Sequence, residues 1–245
     1  MTAPESVFPG EARQSRKALL LSGVGRYADP WHPFAETSAA LAVLLREAGY
    51  DVEVPADVDA ALAGLYPADE AHLPGLLVVN VGLPRDETPS PGTPEAAAGL
   101  ARWLGSAQPL LVSHVSSTSF LDLPEWEEGL GGGWVRGTSM HPEYGLADIH
   151  IHSNSGPLVQ GIPDFKVMDE RYSWLRTIPG INVHATHTHE GIEHPVIWSF
   201  ERGRSGSGTS GRTFYDALGH DAASYESAEH RELLLRAISW LTPAP

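Results

Sequence analysis

Three stretches of the chain are apolar almost without interruption: Lys17-Ala-Leu-Leu-Leu-Ser22, Gly75-Leu-Leu-Val-Val-Asn-Val81 and Pro109-Leu-Leu-Val-Ser113. A strand wet on one face alternates apolar and polar side chains, whereas a strand covered on both faces has no such need. These runs predict short, fully buried strands of a parallel sheet. Between them the period changes. From Phe34 to Tyr50, residues Leu41, Leu44, Leu45 and Ala48 fall on one helical face, and Gly49 ends it. Asp57 is placed to cap a short helix reaching Gly64, and Thr93, with Pro94 at the first helical position, opens another that runs to about Gly105. Asp51-Val-Glu-Val-Pro55 alternates like a strand near a sheet edge. Strand, helix and strand at this spacing suit right-handed crossovers, so the first half predicts an open α/β sheet.

The second half is less regular. From Ser116 to Gly145 the pattern weakens to one short helix, Pro124 to Leu130, inside what reads as an inserted lid or loop. Further strands are predicted at Ile149–His152, Phe165–Met168, Asn182–Ala185, Pro195–Phe200 and Arg212–Tyr215. The last two flank a Gly/Ser-rich hairpin tip, Glu201 to Gly211. Ala228 to Leu241 closes the chain as a helix with Leu233, Leu234, Ala237, Ile238 and Leu241 inward. Residues 1–16 read as a loose tail, and 17–245 as one domain without internal repeats.

Composition narrows the function classes. A formal net charge of -15 repels phosphate backbones and anionic bilayers, so neither nucleic acid nor membrane is an expected partner. With no cysteine in 245 residues, disulfides, Cys-ligated zinc and a thiol nucleophile are excluded together. No apolar run approaches a membrane span, and the first sixteen residues lack the apolar core of a signal peptide, so a cytoplasmic location is expected. A G-x-S-x-G elbow and a Walker loop are also missing. His189-Glu-Gly-Ile-Glu-His194 carries one residue too many for H-E-x-x-H, and Gly191 and Pro195 oppose a helix there.

What remains is histidine and carboxylate chemistry. In an open α/β sheet ligands sit beyond the carboxyl ends of the strands. His114 stands just after a buried strand, and His220 follows Gly219, which permits a sharp turn. Asp169 and Glu170 end another apolar run; on an extended segment they face opposite ways, so one of them enters a site. Glu170 is preferred, because Tyr172 shares its side. His32 and His141 lie in loops. His150 with His152, and His187 with His189, fall two apart and offer low-odds candidates for one edge of a divalent metal site, zinc included.

Asp169-Glu-Arg-Tyr172, His194-Pro-Val-Ile-Trp198, Gly211-Arg-Thr-Phe-Tyr215 with Leu218-Gly-His-Asp221, and Arg236-Ala-Ile-Ser-Trp240 together resemble the ThuA-like (trehalose utilisation) family. That family lies within the class I glutamine amidotransferase-like superfold. The chain departs from it at Val112-Ser-His-Val115, where the family usually shows Gly-x-His-Ala. The resemblance implies a doubly wound, flavodoxin-like, mostly parallel sheet with helices on both faces and an additional β-hairpin region. It also implies work on a disaccharide, a keto-sugar or a 3-keto-glycoside, and not on glutamine. Trp31, Trp134, Tyr172 and Trp174 can stack on sugar rings. In this reading Glu170 or His114 is the general base. His220, helped by His141, is the acid or enolate stabiliser, while His32, Trp31, Tyr172, Arg212 and Asp169 bind substrate. Two alternatives stand beside it: a metal-dependent hydrolase or isomerase built on the His pairs, and a non-catalytic sugar-binding or interaction module. Assembly into a homo-oligomer is left open.

Overall fold

A computed structural model describes residues 16–66, 72–203 and 210–242. The expected tail lies outside these residues except for Arg16, which already belongs to the first strand; residues 204–209 of the expected hairpin tip also lie outside. One sheet of nine strands organises the rest. Its first half is built from β1 (Arg16–Ser22), β2 (Tyr50–Glu53), β3 (Leu76–Asn80) and β4 (Leu110–Ser113). The second half is built from β6 (Gly145–Ile151), β7 (Phe165–Asp169), β9 (Asn182–His189), β10 (Ile192–Arg202) and β11 (Gly211–Asp216). The strand order is β2-β1-β3-β4-β11-β10-β9-β6-β7. The first five in that order are mutually parallel, the 2-1-3-4-5 arrangement of doubly wound sheets. The next four are joined antiparallel, so the expected hairpin region is a four-stranded extension.

The burial pattern follows the sequence pattern. Every residue of β3 and β4 is buried, as their unbroken apolar runs require, while β2 alternates at the sheet edge. Helices α1 (Phe34–Glu47) and α5 (Ala228–Leu241) pack together; α2 (Val58–Ala63), α3 (Pro94–Leu104) and α4 (Pro124–Leu130) form a second group. The predicted caps are present: Asp57 accepts from Ala60 N and Thr93 from Ala96 N. Two-stranded β5 (Gly132–Gly133) and β8 (Arg176–Thr177) tie the 116–145 region down, and Met140 bridges to Ser173. That region forms a wall of the molecule. The His189–His194 run is the β9–β10 hairpin. Glu190 and Gly191 take φ of +51° and +75°, both left-handed as a type I′ turn requires, and His189 pairs with Ile192.

The sheet does not stay flat. β7 and β11 are four spacings apart in the strand order, about 19 Å at ~4.8 Å per strand. Yet the Asp169 carboxylate at the end of β7 accepts from Gly219 N at 2.7 Å and His220 N at 3.1 Å, just beyond β11. The antiparallel half therefore coils back over the carboxyl ends of the parallel strands. This coiling brings Glu170 to the site.

Candidate functional site

Five segments converge at that edge, carrying His32, His114, His141, Glu170 and His220. His114 follows β4 directly, with φ of +45°, a left-handed conformation that costs a non-glycine residue about 1–3 kcal/mol. Val112 stays a buried strand residue, so the departure from the family's Gly-x-His-Ala leaves a tight turn in place. The His114 Nδ1–H donates to Ala217 O at 2.7 Å, which leaves Nε2 as an acceptor. That atom is 3.1 Å from the Tyr172 hydroxyl and 3.3 Å from Glu170 Oε2. His32, in the loop after β1, has Nδ1 held between both Asp29 oxygens at 2.8 and 2.9 Å, while its Nε2 is buried without a partner. His220 Nδ1 is 3.4 Å from Glu170 Oε2 without the alignment of a hydrogen bond. The three rings sit 5.0–5.5 Å apart, each edge-on to the others. His141 approaches from the wall region, its Nε2 3.6 Å from Glu170 Oε1 and its Nδ1 donating to Pro142 O.

Glu170 is thus the common neighbour of His114, His220 and His141. Burial pushes its carboxyl up, but His114 and His220 outweigh that and hold it well below the usual range. Burial and the neighbouring His114 push His32 down to about 4. The Tyr172 hydroxyl, fully buried, is raised well above its ordinary value and stays a donor. Asp169 lies behind the site. Its oxygens take the amides of Glu170, Gly219 and His220, so it fixes backbone rather than meeting a ligand, a correction to its expected substrate-binding role.

A cleft of about 530 Å³ opens onto His32, Glu170, His141 and Tyr172. Trp31, Leu121 and Trp134 give it apolar walls, and Arg85 and Arg136 give it charge. Arg85 also lies over the Trp31 ring, 4.4 Å from its centre. Trp31 is 56 % exposed at the rim. Of the expected ring-stacking residues, Trp174 is elsewhere, against His194. Arg212 is also outside the site. It starts β11, at the amino end of that strand, where it bonds Trp240 O at 2.6 Å and lies over the Trp240 ring. Asp29, Arg85 and Arg136 were not singled out by the sequence reading; for Asp29 the signal is its place three residues before His32, within reach of that ring.

The paired histidines do not converge. His150 meets Asp164 at an exposed edge, His152 bonds Thr186 Oγ1, and His187 Nε2 faces Tyr172 O and Ser173 Oγ. The metal candidates His150, His152, His187 and His189 belong to no group of three or more ligand atoms among the described residues. Among the described residues, three or more potential ligand atoms come together at His32, His114, Glu170 and His220, all within 4.8 Å of one another.

The ThuA family, described as trehalose utilisation, matches residues 18–241. The chain belongs to the ThuA family. A thua-like protein from Parabacteroides merdae superposes with a TM-score of 0.72 at 17% identity, covering 94% of this chain and 91% of that one. One from Bacteroides uniformis gives 0.69 at 13%, covering 96% and 95%. A glutamine amidotransferase from Thermotoga maritima gives 0.53 at 11%, covering 95% and 100%. At these identities the likeness is one of fold, which this ThuA chain shares with that amidotransferase. No curated protein matches. The family ties the chain to a carbohydrate-related role. None of its described helices is long and apolar enough to cross a membrane.

Proposed function

We propose that this protein is an enzyme acting on a keto-sugar or 3-keto-glycoside, moving a proton alpha to the carbonyl. The observation that carries the reading is a carboxylate in contact with three histidines at the floor of a cleft walled by tryptophans. Trp31, Trp134 and Leu121 suit the apolar C–H faces of a sugar ring, and Arg85 and Arg136 suit its hydroxyls. The cleft falls within the roughly 300–1,000 Å³ of small-molecule sites.

The roles follow from access and basicity. Glu170 is held so firmly ionised that it is a weak base, and His114 is buried behind it. His141 is the ring open to the cleft, and its Nδ1–H bond to Pro142 O leaves the Nε2 lone pair free. We assign His141 as the base: the C–H bond alpha to the carbonyl breaks, its proton passes to Nε2, and the electron pair moves onto the carbonyl oxygen as an enolate. That oxygen is placed toward His32 and Tyr172 at the cleft floor, and the Tyr172 hydroxyl, kept protonated by burial, is the donor that stabilises the charge.

The test is solvent deuterium exchange, followed by NMR on a panel of 3-keto-glycosides including 3-keto-trehalose. Deuterium should enter alpha to the carbonyl, and His141→Ala should slow this by about 10²–10⁴-fold, the usual worth of a general base. Absence of exchange or turnover on every keto-sugar, or full exchange in His141→Ala, would overturn the assignment.

A further inference from the structure

The polar atoms at the floor of the cleft do not balance. His32 Nδ1 faces a carboxylate and His114 Nδ1 faces a carbonyl, so both of these nitrogens carry the proton. Their Nε2 lone pairs then point inward. His114 Nε2 lies 3.3 Å from a carboxylate oxygen, and His220 Nδ1 lies 3.4 Å from the same oxygen. His32 Nε2 and His220 Nδ1 are buried with no hydrogen-bond partner. The His114 Nε2 lone pair thus faces a carboxylate oxygen, His32 Nε2 has no donor, and the Tyr172 hydroxyl is the donor within reach of His114. Buried polar atoms are rarely left this way. A small cation at the centre satisfies all four at once.

We propose that His32 Nε2, His114 Nε2, His220 Nδ1 and the Glu170 carboxylate bind one divalent transition-metal ion. A tetrahedral site with bonds of about 2.1 Å has edges of ~3.4 Å. The His114–Glu170 and His220–Glu170 separations of 3.3 and 3.4 Å already match it. The other edges are at most 4.8 Å, a closure that small ring rotations supply.

The surroundings fit a metal centre. Ligating histidines donate their second ring N–H to a carboxylate or a backbone carbonyl, which sets the tautomer and the ring direction. Asp29 does this for His32 and Ala217 O for His114. Asp169 ties the other two ligands together by taking the backbone amides of Glu170 and His220. Three imidazoles and one carboxylate suit a borderline ion such as zinc, cobalt or manganese better than magnesium or calcium, which prefer oxygen ligands. His114 Nε2 gives up its bond from Tyr172 on binding, and that hydroxyl turns to the Glu170 carboxylate or to a bound ligand. His32 and Glu170 line the cleft, so a substrate carbonyl can reach the ion. The ion then shares the charge-stabilising task assigned above to the Tyr172 hydroxyl. In this the inference rests on the proposed function; its binding claim does not.

The experiment uses full-length protein stripped with EDTA and then given zinc, cobalt or manganese. Elemental analysis and titration calorimetry should find one ion per chain, and the cobalt form should show the visible absorption of a four- or five-coordinate site. His32→Ala and His220→Ala should weaken binding by about tenfold or more, since even a lost outer partner costs 10–100-fold. His150→Ala with His152→Ala should leave it unchanged. Tyr172→Phe separates this centre from a proton relay: it removes a competitor for His114 Nε2 and should not weaken the ion. If a ligand variant misfolds by circular dichroism, Asp29→Asn replaces it and should weaken binding through His32. Failure of all three metals to bind stoichiometrically, or unchanged binding in folded His32→Ala and His220→Ala, overturns the site. Turnover of a keto-sugar by metal-free protein would sink the ion's part in the chemistry and spare the proposed function. One bound ion without turnover would do the reverse.

Discussion

A carboxylate taken out of water beside imidazoles can avoid its desolvation cost by accepting a proton, by pairing with imidazolium or by binding a cation. Glu170 is too strongly held in its ionised form to choose the first. Its value to the site is then as a fixed negative charge, and Glu170→Gln should remove activity while leaving the fold. We expect a fall in kcat of about 10² or more, the scale of a lost preorganised charge, with KM little changed. Wild-type kcat in Glu170→Gln would show that the charge does no chemistry. Trp31 makes the opposite prediction. Its indole is exposed at the rim, where it lies under Arg85, and only its backbone N–H bonds Asp29. Trp31→Ala should raise KM about 5–20-fold, the worth of a 1–2 kcal/mol stacking contact, with kcat within twofold. A fall in kcat at constant KM would place Trp31 in the chemistry instead.

At the scale of elements, the rule that ligands gather at the carboxyl ends of strands made His114 and His220 legible, because β4 is an unbroken apolar run and Gly219 marks a sharp turn after the predicted strand β11. The same rule excludes Arg212, which begins β11 and lies at its other end. Of the two carboxylates at the end of β7, Asp169 takes backbone amides and Glu170, just past the strand, meets His114 and His220. What the sequence could not show is how β7 meets β11. That depends on the coil accumulated over four antiparallel pairings, a long-range property with no local residue signature. Asp169 clamps this junction, and its two oxygens serve three amides. An asparagine there would turn its amide N–H₂ toward at least one N–H. Asp169→Asn should therefore destabilise the protein by about 1–3 kcal/mol in urea unfolding, the cost of a buried donor left unpaired. Gly219 makes the junction possible from the other side: its φ is +102°, and a Cβ there would sit 2.6 Å from the Tyr225 hydroxyl.

Across the whole molecule, the coiled half of the sheet buries histidines that play no part in the cleft, and these set an acid limit on the fold. His184 is fixed between Ser155 Oγ and Ser199 Oγ, both at 2.8 Å, with the titratable ring of His152 facing it. His187 faces Tyr172 O and Ser173 Oγ, with His194 and Arg171 nearby. Burial lowers both rings from 6.5 to about 4. The unfolded chain therefore binds these protons first as pH falls, and it is favoured by them between pH 6.5 and 4. Neutral-ring stability is complete above about 6.5 and drains away with acid. Each ring removes about 2 kcal/mol by pH 5 and about 3 kcal/mol by pH 4. Against a total stability of roughly 5–15 kcal/mol, the two together bring a protein of this size close to unfolding near pH 4.5. The readout is the slope of unfolding free energy against pH, not its level, because any substitution here also disturbs packing. In wild type the slope between pH 6 and 4.5 should include about 1.2 kcal/mol per pH unit for each ring. His184→Gln should remove one such increment, and the double variant with His187→Gln should remove both. A slope unaffected by either substitution would mean that these rings keep their ordinary protonation in the folded chain, and that the acid limit lies with the carboxylates instead.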